Sequence, residues 1–372
     1  MGKKKEIHVI YIVTKLELGG AQKVCLSLFN ELQKQHQSWL ISGTEGQLVQ
    51  ETQSKTNVIL LDALKREIGF SELKAFLDLI RTIKKYKTKY KNLIVHTHST
   101  KAGYLGRWAA WFAGVKYRVH TVHGFGFHEH QSWLSYSMSY VLEVITSFIT
   151  THYVCVSTKD VEVGIDLLPS FGYKHSIIRA AVNNHLFVPA TQKTTSTKSF
   201  VFGTVSCFKE QKNIFDLLHA FAYTHMHHPH SKLEIIGDGF LRPQIEKWIE
   251  QHNLQHAITL HGWQKIVAPL MRSWHVFLLS SLWEGLPCAI VEARFLKLPV
   301  IAYNVGGISD IINHGQNGLL YKPKDKEALG KGMLSLAKDK QLYQKLSSHQ
   351  EDLSEFTTAA MVEEHISLYR SL

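Results

Sequence analysis

The constraint that weighs most on this chain is an alternation: short runs rich in apolar and β-branched residues are separated by stretches whose apolar residues recur at helical spacing. Residues 7–13 form a near-continuous apolar run, Leu18-Gly19-Gly20 a glycine turn, and Ala21, Val24, Cys25, Leu28, Phe29 and Leu32 then recur at helical spacing. A strand that is apolar on both faces and feeds a helix belongs in a parallel sheet covered by helices, so an α/β fold is expected. Runs of the same kind at 92–98, 117–123, 152–157 and 176–182 complete one doubly wound domain, and the alternation restarts at 200–206, 232–237, 257–261, 276–281, 299–303 and 318–321. Such sheets bind ligands beyond the carboxyl ends of their strands, so two in tandem are expected to flank one cleft.

With 372 residues the chain exceeds one ordinary core. The expected division is 1–180, 181–350 and a C-terminal helix within 351–372 that packs back on the first domain; the polar stretch 190–198 reads as a linker or exposed loop. No apolar run reaches the roughly 18 to 20 residues that span a bilayer. Met1-Gly2-Lys3-Lys4-Lys5 is followed by Glu6 and His8 without a cleavage pattern, so a mature cytoplasmic start is expected. Cys25, Cys155, Cys207 and Cys288 are far apart and form no C-x-x-C pair, which reads as buried free thiols. Of the formal charge of +11, residues 1–180 carry +9. That asymmetry fits an anionic partner, a membrane surface or a nucleic acid, as well as it fits a solvated face.

The most informative stretch runs from Ser280 to Ala293 and contains Trp283-Glu284-Gly285-Leu286-Pro287. A strand ends near Ser281, a loop carries Glu284 and Gly285, and Pro287 suits the first turn of a following helix, whose unpaired N–H groups can face a pyrophosphate. Glu284 precedes that helix and Glu292 sits in its second turn, so both carboxylates can accept hydrogen bonds from sugar or ribose hydroxyls. Taken alone, the pair is equally well read as solvated helix decoration.

This segment resembles the Glu-x7-Glu motif of the family-four retaining glycosyltransferases. Further matches occur in the same order along the chain: Gly19-Gly20-Ala21-Gln22, His98-Ser99-Thr100-Lys101-Ala102-Gly103, His120-Thr121-Val122-His123-Gly124, Lys212-Asn213, Ile236-Gly237-Asp238-Gly239, His261-Gly262-Trp263 and Asn304-Val305-Gly306-Gly307. The resemblance implies a GT-B fold: two Rossmann-like, doubly wound parallel-sheet domains facing a central cleft, the first for the acceptor and the second for the nucleotide-sugar donor.

Carried over residue by residue, the resemblance implies that Glu292 binds the donor ribose and Glu284 the transferred hexose. Gly285 and Leu286 come near the diphosphate through their backbones, and Lys212 neutralises the departing diphosphate. It places Gly19 and Gly20 against the phosphates and Gly237, Gly239 and Trp263 on the donor side. His123 becomes the contact to the hexose near the reacting carbon, at the head of a mobile aromatic loop, Gly124-Phe125-Gly126-Phe127, and His98 lines the acceptor side. One departure stands out: where the family usually carries an arginine before the lysine, this chain has Ser206 or Cys207. Lys209 is the nearest substitute, as a flexible point charge, and is equally well read as a solvated loop residue.

The family implies retention of anomeric configuration. With both glutamates assigned to the donor, front-face departure and attack is preferred over a glycosidase-style double displacement. No DxD-type pair follows a strand, so no metal and no cofactor are expected, the nucleotide sugar being a substrate. The histidine-rich run Thr224-His225-Met226-His227-His228-Pro229-His230 lacks acidic or cysteine ligands nearby, which argues against a metal there.

The expected reaction is transfer of a hexose or N-acetylhexosamine, from a UDP-sugar, to a polyprenyl-diphosphate-linked glycan in surface polysaccharide biosynthesis, with no nucleic acid involved. A sugar-nucleotide epimerase and an inactive sugar-nucleotide-binding scaffold are the competing readings. An anionic membrane is the expected surface partner, at the inner face of the cytoplasmic membrane. The face is read from the basic end of a helix at 71–91 (Arg81, Lys84, Lys85, Lys87, Lys89, Lys91) and from the aromatics of Arg107-Trp108-Ala109-Ala110-Trp111-Phe112. The opposing reading makes Trp108, Trp111 and Phe112 core residues.

Overall fold

The computed structural model describes residues 6–52, 54–65, 69, 71–189 and 199–372; the run 1–5 and the polar stretch 190–198 lie outside the described residues. The chain forms two compact units, one of residues 1–181 with 354–372 and the other of residues 182–353.

In the first unit β1 (His8–Ile12), α1 (Gly20–Leu32), β2 (Gln37–Ser42), α2 (Val49–Thr52), β3 (Val58–Leu60), α3 (Ser71–Lys89), β4 (Leu93–His98), α4 (Thr100–Phe112), β5 (Tyr117–Val122), α5 (Trp133–Ile149), β6 (His152–Cys155), α6 (Thr158–Leu167) and β7 (His175–Ile177) follow one another. Among the described residues the strands form a seven-stranded sheet, ordered β3-β2-β1-β4-β5-β6-β7. Every pairing in it is parallel. β4 is buried along its whole length and β1 over its last four residues, as central strands covered on both faces must be, whereas the edge strand β3 is only partly buried. β2 and β3 are absent from the sequence reading above. β2 opens on the polar pair Gln37-Ser38 and β3 is three residues long, too short for periodicity to register.

A buried polar network fastens α4 to α5. Arg107 is fully buried and its guanidinium meets both oxygens of the buried Glu143 carboxylate, at 2.7 and 2.8 Å. Arg107 also donates to the Gly103 carbonyl at 2.8 Å and to the Thr150 hydroxyl at 2.9 Å, while the Tyr153 hydroxyl donates to Glu143 at 2.8 Å. Two opposite charges are tolerated inside because their fork-to-fork geometry and neighbours satisfy both.

In the second unit β8 (Phe200–Val205), α7 (Ile214–His227), β9 (Ser231–Ile236), α8 (Arg242–Gln251), β10 (Ile258–Gly262), α9 (Ala268–Met271), β11 (Val276–Leu279), α10 (Cys288–Phe295), β12 (Val300–Tyr303), β13 (Gly318–Tyr321), α11 (Lys326–Lys338) and α12 (Lys340–Ser348) alternate. Among the described residues this sheet has six strands, ordered β10-β9-β8-β11-β12-β13. Its pairings are parallel too. Phe202, Phe221, Leu233, Val276, Ile301 and Met333, each fully buried, belong to one core cluster joining strands to the α7 and α11 layer. The last helix, α13 (Thr358–Ser371), belongs to the first unit, where the Tyr369 hydroxyl lies 3.1 Å from that of Tyr11 in β1.

Of the four cysteines, Cys25 and Cys155 are buried free thiols, as read above. Cys207 and Cys288 form no disulfide and are only partly buried, because both sit in loop or helix-start positions at the carboxyl end of the second sheet rather than within strands.

Candidate functional site

In the second sheet the strand order reverses between β8 and β11, and the crevice beyond the carboxyl ends at such a switch point is where open α/β sheets take ligands. The loops that leave these two strands, 206–213 and 280–287, are stitched together. The Ser280 hydroxyl lies 2.9 Å from the carbonyls of both Lys212 and Asn213, the Leu282 N–H donates to the Gln211 carbonyl at 2.8 Å, and the Gln211 amide donates to the Trp283 carbonyl at 2.7 Å. Asn213 takes the left-handed backbone conformation, φ 46°, that turns the chain into α7, and its side-chain amide donates to Asp216 at 2.6 Å.

The stitching brings Lys212 and Glu284 together as an ion pair between Nζ and Oε1, with side chains 18% and 9% exposed. A cation and a carboxylate therefore converge at the switch point with little water to screen them. Glu292 is buried in the second turn of α10, whose N-cap is Pro287, one residue earlier than the sequence reading placed it. Gly285 and Leu286 are buried, and the Gly285 carbonyl accepts from the Gly307 N–H at 2.7 Å. Gly306, at φ 55°, lies so close that a Cβ there would stand 1.9 Å from the Glu284 carbonyl oxygen, so the 304–307 loop braces the Glu284 loop only if this residue is glycine.

Other residues from the sequence reading lie around this point. Gly237, at φ 135°, has a packing role: a Cβ would sit 1.9 Å from the Ser206 carbonyl oxygen, and its N–H donates to the Gly262 carbonyl at 2.9 Å. Gly239 packs in the same way against Phe208. Lys209 is partly buried at the start of the 3-10 turn that ends at Lys212, and Trp263, just past β10, is 43% exposed.

The switch point of the first sheet lies between β1 and β4. Gly19 caps α1 just beyond β1 and Gly20 opens the helix. His98 is the last residue of β4 and His123 follows β5, and because these strands are paired neighbours the two imidazoles meet, Nδ1 of His98 lying 3.0 Å from Nε2 of His123. His96 lies behind them, its ring stacked on His98 at 4.5 Å and held by the Tyr369 hydroxyl at 2.6 Å and the Thr121 hydroxyl at 2.7 Å. Burial, and then the neighbouring His365, hold the His123 pKa down at about 4, and burial with His123 and His365 nearby puts His98 well below the ordinary histidine value. A neutral pair at this spacing needs one ring to donate and the other to accept, so their tautomers are coupled.

The Phe125–Phe127 segment departs from the mobile aromatic loop expected above. Phe127 is buried against Tyr136 and Tyr140, and Phe125 stacks on Phe127 at 5.0 Å and packs on the Phe171 cluster. Phe127 is thus buried and Phe125 partly buried, and packing aromatic area on the core favours this arrangement over displaying the rings. In the histidine-rich run, Nδ1 of His225 and His227 face the carbonyls of Ser231 and Tyr223 at 3.1 and 2.9 Å, and Nδ1 of His228 faces the Ser231 hydroxyl at 2.9 Å. Among the described residues no group of three or more His, Cys, Asp or Glu side chains is placed to hold a metal.

Sequence reasoning named the two glutamates, Lys212 and the two histidines, but it did not foresee the Lys212–Glu284 and His98–His123 contacts or the part of Gln211 and Ser280 in joining the two loops. A serine at a strand end and a glutamine in a loop carry no distinguishing signal; only the parallel pairing of β8 with β11 brings them face to face.

Comparison with known proteins fits this geometry. The family described as Glycosyltransferase Family 4 matches residues 18–169, and the family described as Glycosyl transferases group 1 matches residues 190–352. The UDP-Gal:alpha-D-GlcNAc-diphosphoundecaprenol alpha-1,3-galactosyltransferase of Escherichia coli is 32% identical over 351 residues, covering 91% of this chain and 89% of that protein. The capsular polysaccharide biosynthesis glycosyltransferase CapM of Staphylococcus aureus is 26% identical over 296 residues, 75% of either chain. Among solved structures, Anabaena Alr3699/HepE in complex with UDP and glucose superposes with a TM-score of 0.83 at 17% identity, covering 99% of this chain and 100% of that one, a likeness of fold. The two parallel-sheet units thus have the GT-B fold, and the chain belongs to the group 1, family 4 glycosyltransferases.

Proposed function

We propose that this glycosyltransferase moves a hexose from a UDP-sugar to a lipid-diphosphate-linked glycan with retention of configuration. The observation that carries the reading is the Lys212–Glu284 pair at the switch point of the second sheet, backed by Glu292 in α10. A cation fixed beside a carboxylate in a poorly hydrated crevice suits a donor that presents a diphosphate and a polyhydroxyl ring side by side. In the proposed reaction the donor opens the ion pair: Lys212 turns to the β-phosphate, Glu284 to the hexose hydroxyls, and Glu292 accepts from the ribose. The bond from C1 to the diphosphate oxygen breaks with its electron pair leaving on the diphosphate. The acceptor hydroxyl attacks C1 from the same face, and its proton passes to the departing phosphate oxygen. Lys212 is worth most when that charge develops, because a preorganised donor in a dry site stabilises it without reorganisation. His123 is assigned to the transferred sugar and His98 to the acceptor side. No metal or cofactor enters the scheme.

The donor and acceptor classes take their support from the E. coli relative, whose name specifies UDP-galactose and a GlcNAc-diphospholipid. A panel of radiolabelled UDP-galactose, UDP-glucose, UDP-N-acetylhexosamines and GDP-mannose, each offered with a GlcNAc-diphospholipid, tests the reading. Label reaching the lipid from a UDP-hexose is expected. Label reaching it only from GDP-mannose, or free sugar released at equal rates with and without lipid, contradicts it.

A further inference from the structure

The first unit has an apolar surface that its fold leaves uncovered. Along α5, Leu134, Met138, Val141, Leu142, Ile145 and Phe148 are 46–67% exposed, and Trp133 at its start is 78% exposed. Their spacing places the first six on one side of the helix. Glu143, the single residue among Asp, Glu, Lys, Arg and His in α5, lies on the opposite side and is spent on Arg107 inside the unit. A helix of seventeen residues thus shows the outside no charge and a continuous apolar stripe.

The stripe has neighbours. β3 to β4, β4 to β5 and β5 to β6 all step the same way across the sheet, so their right-handed crossovers put α3, α4 and α5 side by side on one face. α4 adds Trp111 and Phe112, 46% and 55% exposed, and α3 adds Leu73 and Leu77, at 67% and 41%. One and two turns beyond Leu77 the same stripe of α3 becomes basic, with Arg81, Lys84 and Lys85 all exposed. From residue 79 to residue 128 the chain holds ten lysines and arginines and no aspartate or glutamate.

We propose that this face, centred on α5, seats the first unit on an anionic phospholipid bilayer, with the α5 stripe and the α4 aromatics entering the headgroup boundary and the α3 cations meeting lipid phosphates. An apolar stripe with tryptophan at its edge and a surplus of cations beside it, the α3 acids Glu72 and Asp78 being paired with Lys101 and Arg81, matches the amphipathic surfaces that lie in a membrane interface. A second copy of the chain is the poorer occupant, since a two-fold contact would bring Lys84 and Lys85 against an identical surplus of cations, while the acids of α3, Glu72 and Asp78, are already paired within the unit. The inference deepens the proposed function and rests on it for its purpose: a lipid-linked acceptor has to be met at a membrane.

The test is sedimentation of the full chain with sucrose-loaded vesicles, one set of phosphatidylethanolamine with phosphatidylglycerol and one of phosphatidylcholine alone, without donor or acceptor. Pelleting with the anionic vesicles is expected, with a partition constant at least about tenfold above that for phosphatidylcholine and falling when salt shortens the Debye length from about 10 Å at 0.1 M to about 3 Å at 1 M. Two variants read the two parts of the face: Leu134→Ser with Met138→Ser and Leu142→Ser, all exposed in α5, and Arg81→Glu with Lys84→Glu and Lys85→Glu. Each is expected to lower the partition constant roughly tenfold or more while the circular dichroism spectrum and thermal midpoint stay as in the parent. A parent that remains in the supernatant with anionic vesicles overturns the proposal, as does undiminished pelleting of both variants. So does a parent that dimerises in analytical ultracentrifugation and is made monomeric by the α5 substitutions. Because vesicle binding requires no turnover, a chain that pellets but transfers no sugar retains this inference and sinks the acceptor reading, and one that transfers sugar to lipid without pelleting does the reverse.

Discussion

Lys212 and Glu284 stand 72 residues apart in the chain and meet in one ion pair. If Lys212 faces the departing diphosphate, Lys212→Ala lowers kcat by on the order of a hundredfold or more, a loss of about 3 kcal/mol of barrier stabilisation. Steady-state rates with the best donor of the panel check this, and a loss below tenfold would remove Lys212 from the chemistry. The two glutamates separate by a different readout. Glu292→Ala weakens UDP binding in calorimetry, whereas Glu284→Ala leaves UDP affinity within a few-fold of the parent and lowers turnover; unchanged affinity and rate in both variants contradict the assignment. These residues were legible as types in a pattern, two carboxylates eight apart after a strand and a lysine after another. Their contact was not, because it depends on Ser280, Leu282 and Gln211 joining two loops, and no local signal marks those three.

At the scale of elements, α5 is held by the Arg107–Glu143 ion pair and by Tyr136 and Tyr140 packed on Phe127, and it turns an apolar stripe outward. Glu143→Ala strands the Arg107 guanidinium in the interior and is expected to destabilise the first unit by about 3–5 kcal/mol, read as a drop in the urea midpoint; a change under about 1 kcal/mol would mean that water or rearrangement relieves Arg107. The strand ends of the same unit carry a pH dependence. His96, His98, His120 and His365 are buried, and burial lowers the pKa of each, to about 4 for His365, as it does for His123. An unfolded histidine takes its proton near 6.5, so between that value and the folded pKa the unfolded chain binds more protons than the folded one. Stability is therefore fully present above about pH 6.5 and falls as pH drops through the window toward about 4, by up to roughly 1.4 kcal/mol per pH unit for each such histidine. Urea titrations at pH 7.5, 6 and 5 check the slope, and a flat profile contradicts it. The histidines were visible in the sequence, but their clustering was not, since it follows from the pairing of β4 with β5 and from Tyr369 and His365 arriving on the last helix.

For the whole molecule, the two-fold repetition of strand and helix was legible because central parallel strands are apolar on both faces and leave near-continuous runs, as in β1 and β11. β3 escaped because it is three residues long and β2 because it opens on the polar pair Gln37-Ser38, and the packing of Phe125 and Phe127 was missed because a glycine-flanked aromatic pair looks the same in sequence whether it is displayed or packed on the core. The membrane expectation began from the charge excess of residues 1–180, the basic end of α3 and the aromatics of 107–112, whereas the face proposed above is centred on α5, whose exposed stripe is indistinguishable by composition from a buried helix. The proposal that joins these scales is sugar transfer from a UDP-hexose to a lipid-diphosphate-linked glycan with retention. Its most direct test is NMR of the product made from an α-linked UDP-hexose and a GlcNAc-diphospholipid: the account predicts one new α-glycosidic linkage and stoichiometric UDP, and a β-linkage, or UDP released without a glycosylated lipid, would contradict it.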